Sequence, residues 1–184
     1  MEILSQTPSQ TVGPFFAYSL TARQYGYNYN SIITDSLVDG SIEGERIFIT
    51  GRIFDGQGNV ISDAIIELIQ YFEADNQGVT SKIARIGTGT SHDNSFTFTT
   101  IKPKAISGNS PFISVIIMMR GSLHHLDTRL YFSDENNQQD LLLNSIPEIR
   151  RNTLIANKLQ KNNQVFYEFN IRMQGGNETV FFAI

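Results

Sequence analysis

The sequence contains no cysteine. Disulfides, zinc–thiolate sites, iron–sulfur clusters and thiol nucleophiles are therefore excluded. Imidazoles are few, with only His92, His124 and His125 in the whole chain. No block of Lys or Arg exists, and 14 basic residues against 18 acidic ones leave a net charge of −4. A nucleic-acid partner requires a basic footprint to neutralise phosphates, and none is supplied. Long hydrophobic runs are also missing. The longest, Pro111 to Met119, is closed by Arg120 and falls far short of the ~20 residues that a membrane helix requires. The 5 Pro and 14 Gly are dispersed, which excludes collagen-like and low-complexity readings.

What is present is a globular composition, 40% hydrophobic and 17% charged with 13 Phe and 7 Tyr. A chain of 184 residues builds one domain with a sizeable core. One domain spanning 1–184 is expected, with 1–40 as an N-terminal arm. Glu2 stands where a signal peptide needs a basic end, so a cytoplasmic location is expected.

Periodicity favours strands. Arg46 to Phe54 is β-branched and aromatic, Asp55 to Asn59 is a turn signal, and Ala64 to Phe72 resumes the apolar pattern; the two runs read as a hairpin. Phe96, Phe98 and Thr100 alternate with Thr97 and Thr99. Pro111 to Met119 is apolar on both faces and reads as a central strand covered on both sides. Thr128 to Phe132 is a further short strand. Val165, Tyr167, Phe169, Ile171 and Met173 share one face of another, and Thr179 to Phe182 is expected as the last strand. Helical candidates lie only between Asp140 and Leu159. Thr7 to Leu20 and Tyr25 to Tyr29 read as an extended arm, packed on its own domain or on a partner. The expected fold is all-β, an antiparallel β-sandwich with this arm and short helices in its loops.

Chemistry is sparse. His125-Leu126-Asp127 has the His-x-carboxylate spacing of two-His-one-carboxylate iron sites, but no further His follows it, so a loop histidine pair is the better reading. No Gly-x-Ser-x-Gly elbow is present. Gly87-Thr88-Gly89-Thr90 is Gly-rich but opens no helix that could cradle a phosphate. Arg129 lies between apolar neighbours, where a guanidinium is costly unless paired; a salt bridge to Asp127 or another acid competes with a role toward a carboxylate ligand. Arg150 and Arg151 read as a solvated helix face or a structural ion pair. Thr11-Val12-Gly13-Pro14-Phe15-Phe16 sets a bend in the arm, either as an anchor or as backbone presented to a ligand.

Several stretches in order along nearly the whole chain resemble the intradiol ring-cleavage dioxygenases. They are Thr7 to Phe16, Gly51 to Gly56, Asp63 to Leu68, Thr99 to Pro103, Thr128 to Phe132, and Phe169 to Gly175 with Glu178 to Phe182. Within that family the blocks are most similar to the alpha-type chain of its two-chain, protocatechuate-cleaving members. The resemblance implies a β-sandwich paired with an iron-bearing beta subunit, whose Fe(III) is held by two Tyr and two His. It also implies the reaction: both atoms of O₂ enter 3,4-dihydroxybenzoate, giving 3-carboxy-cis,cis-muconate. At the ligand positions this chain has Thr80, Ile106, Phe112 and Ser114, so no cofactor is expected on it. Thr11, Gly13, Pro14 and Phe15 match the family's pocket-bordering segment, with Phe15 where tyrosine is usual. Arg129 is matched to the arginine near the substrate carboxylate. A stand-alone transthyretin-like or carbohydrate-binding module, and a self-sufficient dioxygenase with a rearranged iron site, are the competing readings.

Overall fold

The computed structural model describes residues 11–13, 15–38, 43–74, 78–106 and 108–183. Among these residues ten strands form. They are β1 Arg46–Gly51, β2 Ile53–Phe54, β3 Ile65–Ala74, β4 Gly78–Gly87, β5 Phe96–Ile101, β6 Phe112–Met118, β7 Leu126–Phe132, β8 Ile155–Lys161, β9 Gln164–Glu168 and β10 Ile171–Arg172. Eight of them make one sheet in the order β4-β3-β6-β7-β8-β9-β1-β5, and β2 pairs with β10. The edge strands β4 and β5 approach each other, so the sheet nearly closes on itself.

Alternation explains where the core sits. Ile47 and Ile49 of β1, Ile66 and Leu68 of β3, Phe96 and Phe98 of β5, Ile113, Val115 and Ile117 of β6, and Leu130 and Phe132 of β7 all turn inward into one cluster. Each fully buried side chain of this size contributes roughly 1.5–3 kcal/mol. The inner face of the sheet therefore holds the fold, and the short helices do not. A smaller cluster on the outer face gathers Tyr131, Leu143, Ile146 and Leu154 under the β7–β8 connection.

That connection carries α2 Leu141–Ser145 and α3 Glu148–Arg151. Buried Asp140 caps α2, accepting from Leu143 N at 2.9 Å. The same carboxylate accepts from the Tyr131 hydroxyl at 3.0 Å and from Ser110 N at 3.1 Å. Burial is the main cause that pushes the Tyr131 phenol up to about 12, so it stays protonated and keeps donating. Arg150 and Arg151 are half-buried rather than a solvated face, and among the described residues neither makes an ion pair. Arg150 donates to Glu178 O at 2.9 Å, and Arg151 to Ile146 O at 2.8 Å and Asn144 O at 3.0 Å.

The chain is mostly β with few short helices, but the wholly antiparallel sandwich is corrected to a mixed, nearly closed sheet. β7 runs parallel to β8 and β1 runs parallel to β9. Parallel neighbours require a long crossover, and the helical β7–β8 connection supplies one. Strand periodicity carries no sign of strand direction, which is why the sequence did not reveal it. The expected hairpin of 46–54 with 64–72 does not form. β1 pairs with β5 and β9, whereas β3 pairs with β4 and β6. The expected last strand reduces to a single bridge, Asp127 to Phe182. The 165–173 face is as expected: Tyr167, Phe169 and Ile171 are buried, and the strand is interrupted between β9 and β10. β6 is central, though its outer face is only half-buried. No helix of the described residues is long and apolar enough to cross a membrane.

Candidate functional site

The described part of the arm is not extended. Phe16 N bonds Gly13 O at 3.1 Å, closing a turn that leads into α1 Phe16–Leu20 and then a 3-10 turn, Ala22–Tyr25. Two sets of bonds fix this segment to the sheet. The Thr11 hydroxyl accepts from Gly121 N at 3.0 Å and donates to Met119 O at 3.4 Å, bracketing Arg120 in the turn after β6. Further along, the Gln24 amide donates to Gly87 O at 2.6 Å and accepts from Gly87 N at 2.8 Å, so it continues the ladder of β4. Tyr25 lies against Gly89, where an added Cβ would stand 2.4 Å from Ser62 O and 3.1 Å from the Tyr25 hydroxyl. A side chain at that position would collide with the Ser62 carbonyl and displace the turn on which Tyr25 rests. Burial first, and then the neighbouring Tyr18 and Asp63, raise the Tyr25 pKa above that of an ordinary phenol.

Gly13, Tyr25, Asp63, Gly89 and Arg120 line a cavity of about 300 Å³ at the foot of this turn. The Arg120 Nε donates to the Asp63 carboxylate, and among the described residues its outer nitrogens make no further bond. Phe15 stands beside the turn, 77% exposed, with its ring 6.1 Å from that of Tyr18. Thr11, Gly13 and Phe15 are thus brought together; Pro14 lies outside the described residues.

Arg129 is not brought to this place. It lies within β7 opposite Ser114, six residues along β6 from Arg120, or about 20 Å at the strand rise. Its guanidinium stacks on the Phe112 ring, 4.0 Å from the centroid. Asp127 pairs with His125 at 3.3 Å rather than with Arg129. Arg129 Nη1 is buried without a partner among the described residues.

Thr80, Ile106, Phe112 and Ser114 occupy the four positions matched to iron ligands. Thr80 and Ile106 line one cavity of about 870 Å³, together with Gln70, Tyr71 and Lys102. The Phe112 ring lies 6.0 Å from that of Tyr71 on its edge. An alkyl chain, a hydrocarbon ring and two hydroxyls do not replace phenolate and imidazole as ferric donors. The Arg129 cation seated on Phe112 adds repulsion toward any further positive charge. These side chains do not fit iron. Among the described residues no three His, Cys, Asp or Glu are grouped closely enough to hold a metal ion.

Comparison with known proteins adds to this geometry. No family model matches the sequence. The protocatechuate 3,4-dioxygenase alpha chain of Burkholderia cepacia is 44% identical over 197 aligned positions, covering all of both chains. The protocatechuate 3,4-dioxygenase alpha chain of Pseudomonas putida is 34% identical, covering 99% of this chain and 98% of that one. Among solved structures, the dioxygenase domain of a carbohydrate-binding fusion protein from Streptomyces sp. SirexAA-E matches with a TM-score of 0.59 at 21% identity. It covers 96% of this chain and 100% of that one. At that identity the likeness concerns the fold alone.

Proposed function

The chain belongs to the family of protocatechuate 3,4-dioxygenase alpha chains, and on that premise we propose that it completes the substrate pocket of an iron-bearing beta subunit. In this reading the Fe(III) resides on the partner, in the cytoplasm, and protocatechuate and O₂ are the substrates. The full-length identity of 44% carries the assignment. The misfit of Thr80, Ile106, Phe112 and Ser114 to iron supports a pocket-completing part over an independent catalytic one.

Thr11, Gly13, Pro14 and Phe15 are the segment proposed to face the substrate. Two arginines compete for the substrate carboxylate: Arg129, matched by resemblance, and Arg120, beside the arm. Arg129 is the one proposed: its Nη1 is buried without a partner among the described residues, a donor that a carboxylate would satisfy, whereas Arg120 is an exposed side chain already held by Asp63. An opposite charge at that point selects an acid over plain catechol. Reconstitution tests the reading. Adding this chain to the separately produced beta subunit is expected to raise ring cleavage of protocatechuate. A beta subunit that is fully active alone, and unchanged by the addition, would overturn it.

A further inference from the structure

We propose that Phe112 is a positioning residue for Arg129, its ring a platform that sets the guanidinium plane and leaves the N–H edge free for the substrate carboxylate. This rests on the reading of Arg129 given above and extends it to a residue with no contact to substrate. The two residues lie on the outer face of neighbouring strands. Phe112 stands opposite Tyr131 in the β6–β7 ladder and Arg129 opposite Ser114, so the arginine is diagonal to the ring and within reach of it. Ser114 is small and leaves the guanidinium room to lie across to Phe112, 4.0 Å from the ring centroid. The ring is itself held. Tyr71 of β3 flanks it at 6.0 Å and Tyr131 of β7 at 6.2 Å, and the Tyr131 hydroxyl is fastened to buried Asp140.

A cation laid over a ring engages the face of the guanidinium and none of its N–H groups. The plane is set while the edge keeps its donors, and Nη1 is buried with no partner among the described residues. Asp127, the nearest acid along β7, is taken by His125. A charged donor left unmet in a half-buried place is a cost that a bound carboxylate removes. The stacking also restricts a long, rotamer-rich side chain to one orientation, which lowers the entropy lost when an acid binds.

Steady-state kinetics of the assembled enzyme test this. Phe112→Leu keeps apolar bulk and removes the ring face. It is expected to raise KM for protocatechuate about three- to tenfold, the loss of one cation–π contact, with kcat changed much less. Phe112→Tyr retains a ring and is expected to keep KM close to the wild-type value. Pentafluorophenylalanine at position 112 keeps the shape but reverses the ring quadrupole, so it should raise KM as Leu does, whether or not the fold tolerates Leu. Cleavage of catechol, which carries no carboxylate, should not respond to Phe112→Leu. In the double variant Arg129→Met with Phe112→Leu, the second change adds nothing to the first. Additive losses, a Tyr variant as impaired as Leu, or an unchanged KM with the fluorinated ring would overturn the inference. An impaired Arg129→Met beside an unaffected Phe112→Leu sinks only the positioning role. Wild-type kinetics in Arg129→Met sinks the underlying reading as well.

Discussion

Truncating the two arginines one at a time separates a structural guanidinium from a substrate-facing one. Arg129→Ala removes a cation stacked 4.0 Å from the Phe112 centroid in a half-buried setting. Such a contact is worth about 1–2 kcal/mol, and the apolar stem covering the ring adds about 1 kcal/mol. Loss of the unpartnered buried Nη1 returns part of that. A net loss of about 2 kcal/mol lowers the thermal midpoint by about 4–8 °C in a chain of this size. The kcat/KM of Arg129→Ala for protocatechuate is expected to fall by about 10- to 200-fold, as for loss of a charged hydrogen bond from the buried Nη1, which has no partner among the described residues. Arg120→Ala should behave in the opposite way. Its side chain is 57% exposed, so the midpoint moves by less than about 2 °C. Its kcat/KM for protocatechuate is expected to stay within about twofold. Differential scanning fluorimetry and initial-rate kinetics on the assembled enzyme read both quantities. An Arg129→Ala enzyme with wild-type kcat/KM beside an impaired Arg120→Ala enzyme would refute the reasoning.

Two further perturbations follow from the same contacts. Gly89→Ala forces a Cβ against Ser62 O and the Tyr25 hydroxyl; it is expected to release the arm, exposing 11–25 to limited proteolysis and lowering activity, and an intact arm would contradict the seating described here. Asp134 accepts from Lys102 at 2.8 Å, Lys158 at 2.9 Å and Tyr167 at 3.0 Å. Burial works against its charge, but these bonds hold the carboxyl well below the ordinary range of about 3.9. A depressed folded-state value contributes stability that is present above pH ~4 and is lost as pH falls toward it. Asp134→Asn is therefore expected to lower stability near neutral pH by about 1–3 kcal/mol and to flatten the acid limb below pH 4. Parallel acid limbs in the two proteins would remove Asp134 as a cause.

How much of this was legible in the sequence depends on contrast between faces. Val165 to Met173 alternates cleanly, and its buried face was readable residue by residue. β4 was not readable, because Val79 to Ile83 forms a sheet edge with both faces largely exposed, and a strand without a wet and a dry side carries no period. β8 failed for the same reason: Asn157 and Lys158 are exposed neighbours, and the segment was grouped with helical turns. The described turn at Phe16–Leu20 was read as extended because a helix of five residues is too short to show a 3.6-residue pattern. At the site, linear motifs located Thr11, Gly13 and Phe15. They could not reveal that the turn after β6, distant by more than a hundred positions, is fastened to this segment by one threonine hydroxyl. Contacts of that separation leave no local signature.

The most direct measurement is metal content and visible absorption of the two subunits purified apart and then mixed. The expected result is ferric iron with its tyrosinate colour on the beta subunit alone, none retained by this chain, and a gain in protocatechuate cleavage on mixing. Stoichiometric ferric iron bound tightly by this chain in isolation would contradict the claim that it serves only to complete a neighbour's pocket.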